Sequence, residues 1–321
     1  MRSIVSAVVV STFLVAGAAN AEKKVHLMSA EAPQVKATYA DIQKTFGFVP
    51  TFLKKYPPEG ITGAWEVFKA IQLNPKSHVL PKYKELIGLG IASQIPCHYC
   101  TYFHTKAAKA AGATDREINE AVAVAANVRL WSTFLHGVQY DIADVRKDTD
   151  KLLDHAREVQ EMVKEGKQPP APMPLTDAES AFADMKAQAG FVPGFMRELP
   201  PEAVVGAWRV MRDLEMNPET SLPPIAKDSI GLAVAAQIPC EYCTYFHSAG
   251  LKFDGASPEE IREVALLGGL VRHWSTVLNG IQMDENTFRS EVDRIFQEMK
   301  AKAPKPLAQA GKPHSHRPAG E

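Results

Sequence analysis

The sequence predicts an all-α protein built as two tandem helical bundles that pair within one chain. Three observations predict it. "IPCHYCTYFH" at 95–104 returns as "IPCEYCTYFH" at 238–247, and these two stretches hold all four cysteines of the 321 residues. The same offset of 143 aligns Gly47-Phe48-Val49-Pro50 with Gly190-Phe191-Val192-Pro193, Ala64-Trp65 with Ala207-Trp208, Asn74-Pro75 with Asn217-Pro218, and Trp131-Ser132-Thr133 with Trp274-Ser275-Thr276. No run alternates apolar and polar residues like a half-buried strand, whereas several show helical spacing. Two copies are too few for a solenoid, so the chain is a duplicated domain.

The elements follow in order. Residues 1–21 carry Arg2, an apolar run from Ile4 to Gly17, and Ala19-Asn20-Ala21, a small-x-small cleavage site. That is a secretory signal peptide; the run is short of the roughly 20 residues a span needs, and no later stretch reaches it. The mature chain is expected to start at Glu22 and to be secreted or periplasmic, where disulfides are permitted. The first bundle covers 22–163. "GITGAWEVFKAIQLN" sets Trp65, Phe68 and Leu73 on one stripe, and "KYKELIGLGIASQI" ends before Pro96. A third helix is expected to open at Pro96, a residue favoured at the first helical position, and to end near Gly112. Thr114-x-x-Glu117 is a capping box that opens the fourth, with Ser257-x-x-Glu260 in the second copy. The proline-rich stretch 164–175 is a semi-rigid linker, 176–302 the second bundle, and 303–321 a disordered tail. His314 and His316 in the tail have no partner pattern that would hold a metal.

The composition is that of a protein with a real core, 45% apolar and 23% charged, and the net charge is −1. Nothing in that balance calls for a nucleic-acid or anionic-membrane partner.

The repeated decapeptide carries the chemistry. On a helix, Cys97, Cys100 and His104 are spaced three, four and seven apart and share one face. A thiol pair in the first turn of a helix meets the positive end of its dipole, which favours thiolate, and His104 can take or shuttle the proton. Glu85 lies on the preceding helix, twelve residues before Cys97; a hairpin between the two helices would bring it to His104. Cys240, Cys243, His247 and Asp228 repeat the set, with Asp228 one methylene shorter. Competing readings fit less well. A disulfide closing so short a loop is a poor staple. A four-cysteine zinc site does not match pairs 139 residues apart on separate helices. Haem attachment needs a histidine where Thr101 and Thr244 stand. A dithiol redox pair with an acid–base partner remains, with no cofactor and no metal.

Glu85, Cys97-x-x-Cys100 and His104 in this spacing resemble the AhpD-like alkyl hydroperoxidases of the carboxymuconolactone decarboxylase superfamily. "GFVP" and "NP" are similar to its peroxidase-related branch. The resemblance covers roughly 40–145 and 183–290. It implies an all-helical fold, assembly into homo-oligomers, and thiol-dependent reduction of hydroperoxides with a thiol protein as reductant. It also implies that Cys100 attacks peroxide, Cys97 resolves the sulfenic acid to a disulfide, and His104 with Glu85 relays the proton; Cys243, Cys240, His247 and Asp228 would repeat those roles. The decarboxylase branch lacks the cysteine pair. This chain departs from the pattern with Tyr99 and Tyr242 in place of a histidine before the second cysteine. His98 stands one place earlier, with Glu241 at the matching place, so the second site is expected to be the weaker. Two further functions use the same residues or none: disulfide exchange with a partner protein, and a non-catalytic module with structural disulfides.

Other repeated residues have plainer readings. Trp131 and Trp274 fill a core, Arg129 and Arg272 are solvated or paired, and Tyr102, Phe103, Tyr245 and Phe246 wall the thiols or pack helices. His136 is matched by Asn279 and so serves nothing common to both copies.

Overall fold

Proline and glycine set the helix ends. In the computed structural model, which describes residues 29–302, six helices open with proline in their first turn: α1 (Pro33–Phe46), α3 (Pro58–Ile71), α4 (Pro81–Gln94), α10 (Pro201–Val210), α11 (Pro224–Gln237) and α13 (Pro258–Gly280). α1 and α8 (Ala178–Ala189) stop at Gly47 and Gly190, at φ 84° and 79°, where a side chain would be strained. The short α2 (Thr51–Lys54) and α9 (Gly194–Arg197) follow. The cysteine helices are α5 (His98–Ala110) and α12 (Glu241–Phe253), the long ones α6 (Asp115–Gly137), α7 (Ile142–Lys164) and α13 (Pro258–Gly280), and α14 (Glu285–Lys302) closes the described chain. Among the described residues no strand occurs, and no helix is long and apolar enough to cross a membrane. The expected signal peptide and the tail with His314 and His316 lie outside the described residues.

The Thr114 capping box forms with both bonds, and in the second copy the Glu260 N–H bonds Ser257 Oγ at 3.1 Å. One expected boundary is wrong. α5 starts at His98, not at Pro96, because the Cys97 N–H returns to the Ala92 carbonyl at 3.0 Å and holds Cys97 extended, at φ −91°, ψ 99°. Cys97 is therefore the N-cap. The segment 165–177 is not helical. It lies against α8 and α10 through Met173 N–H to Asp184 (2.8 Å) and Arg212 to the Met173 carbonyl (3.1 Å).

The two copies pack as one body. α4, α6, α11 and α13 form the centre, with α4 against α11, α13 against α4 and α11 against α6. One apolar core runs through both copies, from Leu86, Ile87 and Ile91 to Ile230, Leu232 and Val264. Burying each such side chain contributes about 1.5–3 kcal/mol. The outer helices are exchanged: α7, which ends the first copy, lies on α12 of the second, and α14, which ends the second, lies on α5 and α2 of the first. Aligned carboxylates dock them. Glu291 of α14 accepts from the Thr51 N–H at 2.9 Å and Asp148 of α7 from the Gly194 N–H at 2.6 Å. Tyr102 donates to Asp293 (2.7 Å) and Tyr245 to Asp150 (2.9 Å).

Buried ion pairs add register. Lys84 lies 3.3 Å from Glu263 and Lys227 3.7 Å from Glu120, each pair spanning the two copies. The Glu120 carboxylate also accepts from the Ser221 and Leu222 N–H groups (2.8 and 3.2 Å).

Glycine lets the copies approach at the centre: a Cβ on Gly90 would stand 2.9 Å from Ile230 Cγ2 of the second copy and 3.3 Å from Ala125 Cβ of its own. Gly90→Leu is expected to overpack this seam and cost about 1–3 kcal/mol, read as a lower midpoint in urea unfolding, whereas the same change at Gly63, where a Cβ meets nothing, should leave the midpoint nearly unchanged.

Candidate functional site

The hairpin expected between α4 and α5 forms, and glycine makes it tight. His104 lies on the backbone of α4, where a Cβ at Gly88 would strike its imidazole. From there Nδ1 meets Glu85 Oε2 at 2.8 Å. The other carboxylate oxygen, Oε1, accepts from Gln72 Nε2 at 2.6 Å. With Nδ1–H donated to the carboxylate, Nε2 is left to accept a proton.

The second copy reaches the same bond by a different route. His247 lies on Gly231, and its Nδ1 meets Asp228 Oδ1 at 2.8 Å. Asp228 is shorter than Glu85, and α12 comes close enough because residue 250 is glycine: a Cβ there would collide with the Asp228 carboxylate. Burial, with the Asp228 charge adding to it, raises Asp254 at the end of α12 to about 6.

The cysteines occupy unlike positions. Cys97 and Cys240, as N-caps, accept the N–H of Cys100 and Cys243 at 3.3 and 3.2 Å. The first pair is free, and the second is joined as a disulfide. Within the first pair a shared proton decides the charge. The Cys100 thiol donates to Cys97, and with further donors from Ser275 and Asn279 this lowers Cys97 to about 6 despite its burial. Asn279 Nδ2 is 3.7 Å from the Cys97 sulfur. Cys100 is raised by the same bond, by burial and by the Cys97 charge. The lowered thiol is thus Cys97, at the N-cap, and the two thiols of the pair are not alike.

Access runs the other way. A cavity with about 60 Å³ of space for a water's centre, several times the ~10–15 Å³ one water needs, opens on Cys100 and His104 but not on Cys97. Its walls are apolar: Phe52 and Phe68 from the first copy, Trp274 from α13, and Phe288 and Val292 from α14. A cavity of about 50 Å³ opens on Cys243 and His247, walled by Trp131 of α6, Val145 of α7 and Phe195. Each site is therefore closed by helices of the other copy.

This changes several sequence readings. Trp131 and Trp274 are core residues that also wall the opposite copy's cavity. Phe103 and Phe246 line the cavities, while Tyr102 and Tyr245 hold the exchanged helices. Tyr99 and Tyr242, which stand where the resembled family has histidine, donate across the copies to the Met283 and Tyr140 carbonyls (2.5 and 2.7 Å). Arg129 and Arg272 are exposed. His136 lies edge-on to Tyr242 with ring centres 4.8 Å apart, while its counterpart Asn279 reaches a cysteine sulfur. Gln72, Glu215, Asn127, Ser275 and Asn279 were missed. They lie far from the decapeptide, and the only signal was that the 143-residue alignment pairs Gln72 with Glu215 and Asn279 with His136. Among the described residues no group of histidine, cysteine and carboxylate side chains could hold a metal ion.

A model of the carboxymuconolactone decarboxylase family matches the chain twice, at 63–141 and 202–283, half of its length in all. Among solved structures the chain is similar to a crystal structure of a candidate gamma-carboxymuconolactone decarboxylase subunit from Burkholderia xenovorans LB400. Identity is 16%, with 84% of this chain and 98% of that one covered and a TM-score of 0.48. A search of the curated proteins found no match.

Two measurements check this geometry. In reduced protein carrying Cys240→Ser and Cys243→Ser, ultraviolet thiolate absorbance is expected to rise with a midpoint near pH 6 as Cys97 ionises, and Ser275→Ala should move that midpoint upward. Gly88→Ala is expected to push His104 off α4, seen as loss of the slowly exchanging Nδ1–H signal by NMR, with the His247 signal retained.

Proposed function

Because the chain belongs to the carboxymuconolactone decarboxylase family, matched once in each copy, we propose that it is a thiol peroxidase of the AhpD-like kind, exported from the cytoplasm. The observation that carries the reading is a cavity ending on Cys100 and backed by the His104–Glu85 bond. A hydroperoxide entering it meets Cys100, whose proton already lies in a hydrogen bond to Cys97. Passing that proton to Cys97 makes Cys100 the thiolate. Its sulfur then attacks the terminal peroxide oxygen, the O–O bond breaks, and the alkoxide takes a proton that His104 Nε2 has accepted from solvent, leaving Cys100 as sulfenic acid and the product as alcohol. The Cys97 thiol next attacks the Cys100 sulfur, forming the disulfide and expelling water. An external dithiol returns two electrons and two protons.

Two observations favour a peroxide over the other substrates. Cys97 and Cys100 are 0% and 5% exposed, which suits a small oxidant better than direct exchange with a folded partner protein. A carboxylate substrate such as the family name suggests would need a cation, and no lysine or arginine lines the first cavity. The expected Cys100-attacks, Cys97-resolves order fits this access, although the resting charge is on Cys97.

Turnover of an alkyl hydroperoxide with dithiothreitol as reductant tests the reading. Wild type should consume peroxide, Cys97→Ser/Cys100→Ser should lose the first site's share, and Cys100→Ser alone should lose as much. Equal turnover by wild type and a protein lacking all four cysteines would sink the proposal.

A further inference from the structure

The two cavities are copies, yet the polar residues in and behind their walls differ. Where the first site has Gln72, Glu85 and Leu270, the second has Glu215, Asp228 and Asn127. Gln72 is an amide clamp on Glu85. Glu215 has no such partner in Asp228; it faces the cavity beside Cys243 and His247 and accepts from Asn127 Nδ2 at 3.0 Å.

The backbone differs at the same place. Gln72 ends an ordinary α-turn, its N–H bonded to the Phe68 carbonyl at 2.8 Å. Glu215 ends a π-turn over Met211–Glu215, closed by the Met216 N–H on the Met211 carbonyl at 2.8 Å. Such widened turns are frequent at functional sites, and this one occurs in only one copy among the described residues.

The groups around Glu215 are His247 on α12, Asp228 and Lys227 on α11, and Asn127 on α6. The Lys227 ammonium is already bonded to the Leu214 and Asn217 carbonyls (2.5 and 2.7 Å). Burial is the largest influence and raises the Glu215 carboxyl, as does the Asp228 charge, against His247, Asn127 and Lys227. The acid therefore keeps its proton above the usual carboxylate range.

We infer that Glu215 is a proton donor peculiar to the second site, delivering its proton to the oxygen that leaves when peroxide is cleaved there. The inference rests on the peroxidase reading. With the pair reduced, the Cys243 thiolate bonds to the terminal peroxide oxygen, the O–O bond breaks, and the leaving alkoxide takes the Glu215 proton, giving alcohol, Cys243 sulfenic acid and Glu215 carboxylate. The Cys240 thiol then displaces water to form the disulfide, and an external dithiol returns two electrons and two protons, restoring the Cys240 thiol, the Cys243 thiolate and the Glu215 acid. The first site, with an amide at this position, has only the imidazole to give.

The test uses the full chain with Cys97→Ser and Cys100→Ser, so that only the second site reports, with cumene hydroperoxide as probe. Glu215→Gln installs the residue of the first copy and keeps an oxygen for Asn127. It is expected to lower kcat/KM about 10–100-fold, within reach of general acid catalysis. A donor must be protonated, so activity falls as pH rises through its pKa, and that alkaline limb should vanish in Glu215→Gln. Asn127→Leu installs the residue that lines the first site at the aligned position, Leu270; it removes a bond that stabilises the carboxylate and should move the limb to higher pH. Infrared spectra should show a protonated carboxyl band that persists to higher pH than that of exposed carboxyls and that Glu215→Gln removes. Turnover and pH profile unchanged by both substitutions would overturn the inference and leave the peroxidase reading intact. Absence of turnover in the wild-type chain and in both single-site variants would overturn the two together.

Discussion

An imidazole lying directly on a helix backbone is the contact on which both sites depend. His104 and His247 are brought to their carboxylates because Gly88 and Gly231 present no side chain between the helices. The bond that follows fixes which ring nitrogen is protonated and leaves the other for the thiol side. It also explains how a shorter carboxylate suffices in the second copy: Gly250 lets the Asp228 side chain into the space α12 would otherwise fill.

The second constraint is that neither copy closes its own cavity. The wall opposite each cysteine pair comes from the other copy, through α13 and α14 on one side and α6 and α7 on the other. Buried pairs such as Lys84 with Glu263 hold that register, because a charge left alone in the core would be costly. Two subunits of a symmetric assembly must carry identical walls. Joined in one chain, the two walls are free to differ, and they do: one cavity has Gln72 and Leu270 where the other has Glu215 and Asn127.

Within the first dithiol, charge and access are separated. Cys97 carries the charge because, as N-cap, it collects donors from Cys100, Ser275 and Asn279; Cys100 holds the proton and faces the cavity. One proton transfer along that hydrogen bond would put the thiolate on the cavity side.

The sequence by itself determined the helical class, the duplication, and the set Glu85, Cys97, Cys100 and His104 with its copy. These follow from short-range spacing and from a repeat that needs no coordinates to see. The glycine contacts that make the hairpin possible were visible as letters but not as contacts. The N-cap state of Cys97 was misread because Pro96 is favoured at a helix start, while a backbone bond to Ala92 won locally. Only the tertiary structure decided that α7 and α14 are exchanged, that Trp274 faces Cys100 from the other copy, and that Glu215 and Asn279 belong to the sites. Those pairings join residues roughly 100 to 200 positions apart in the chain, and what sets them is the burial of one shared apolar seam between the copies, a property of the packed whole that no local window contains.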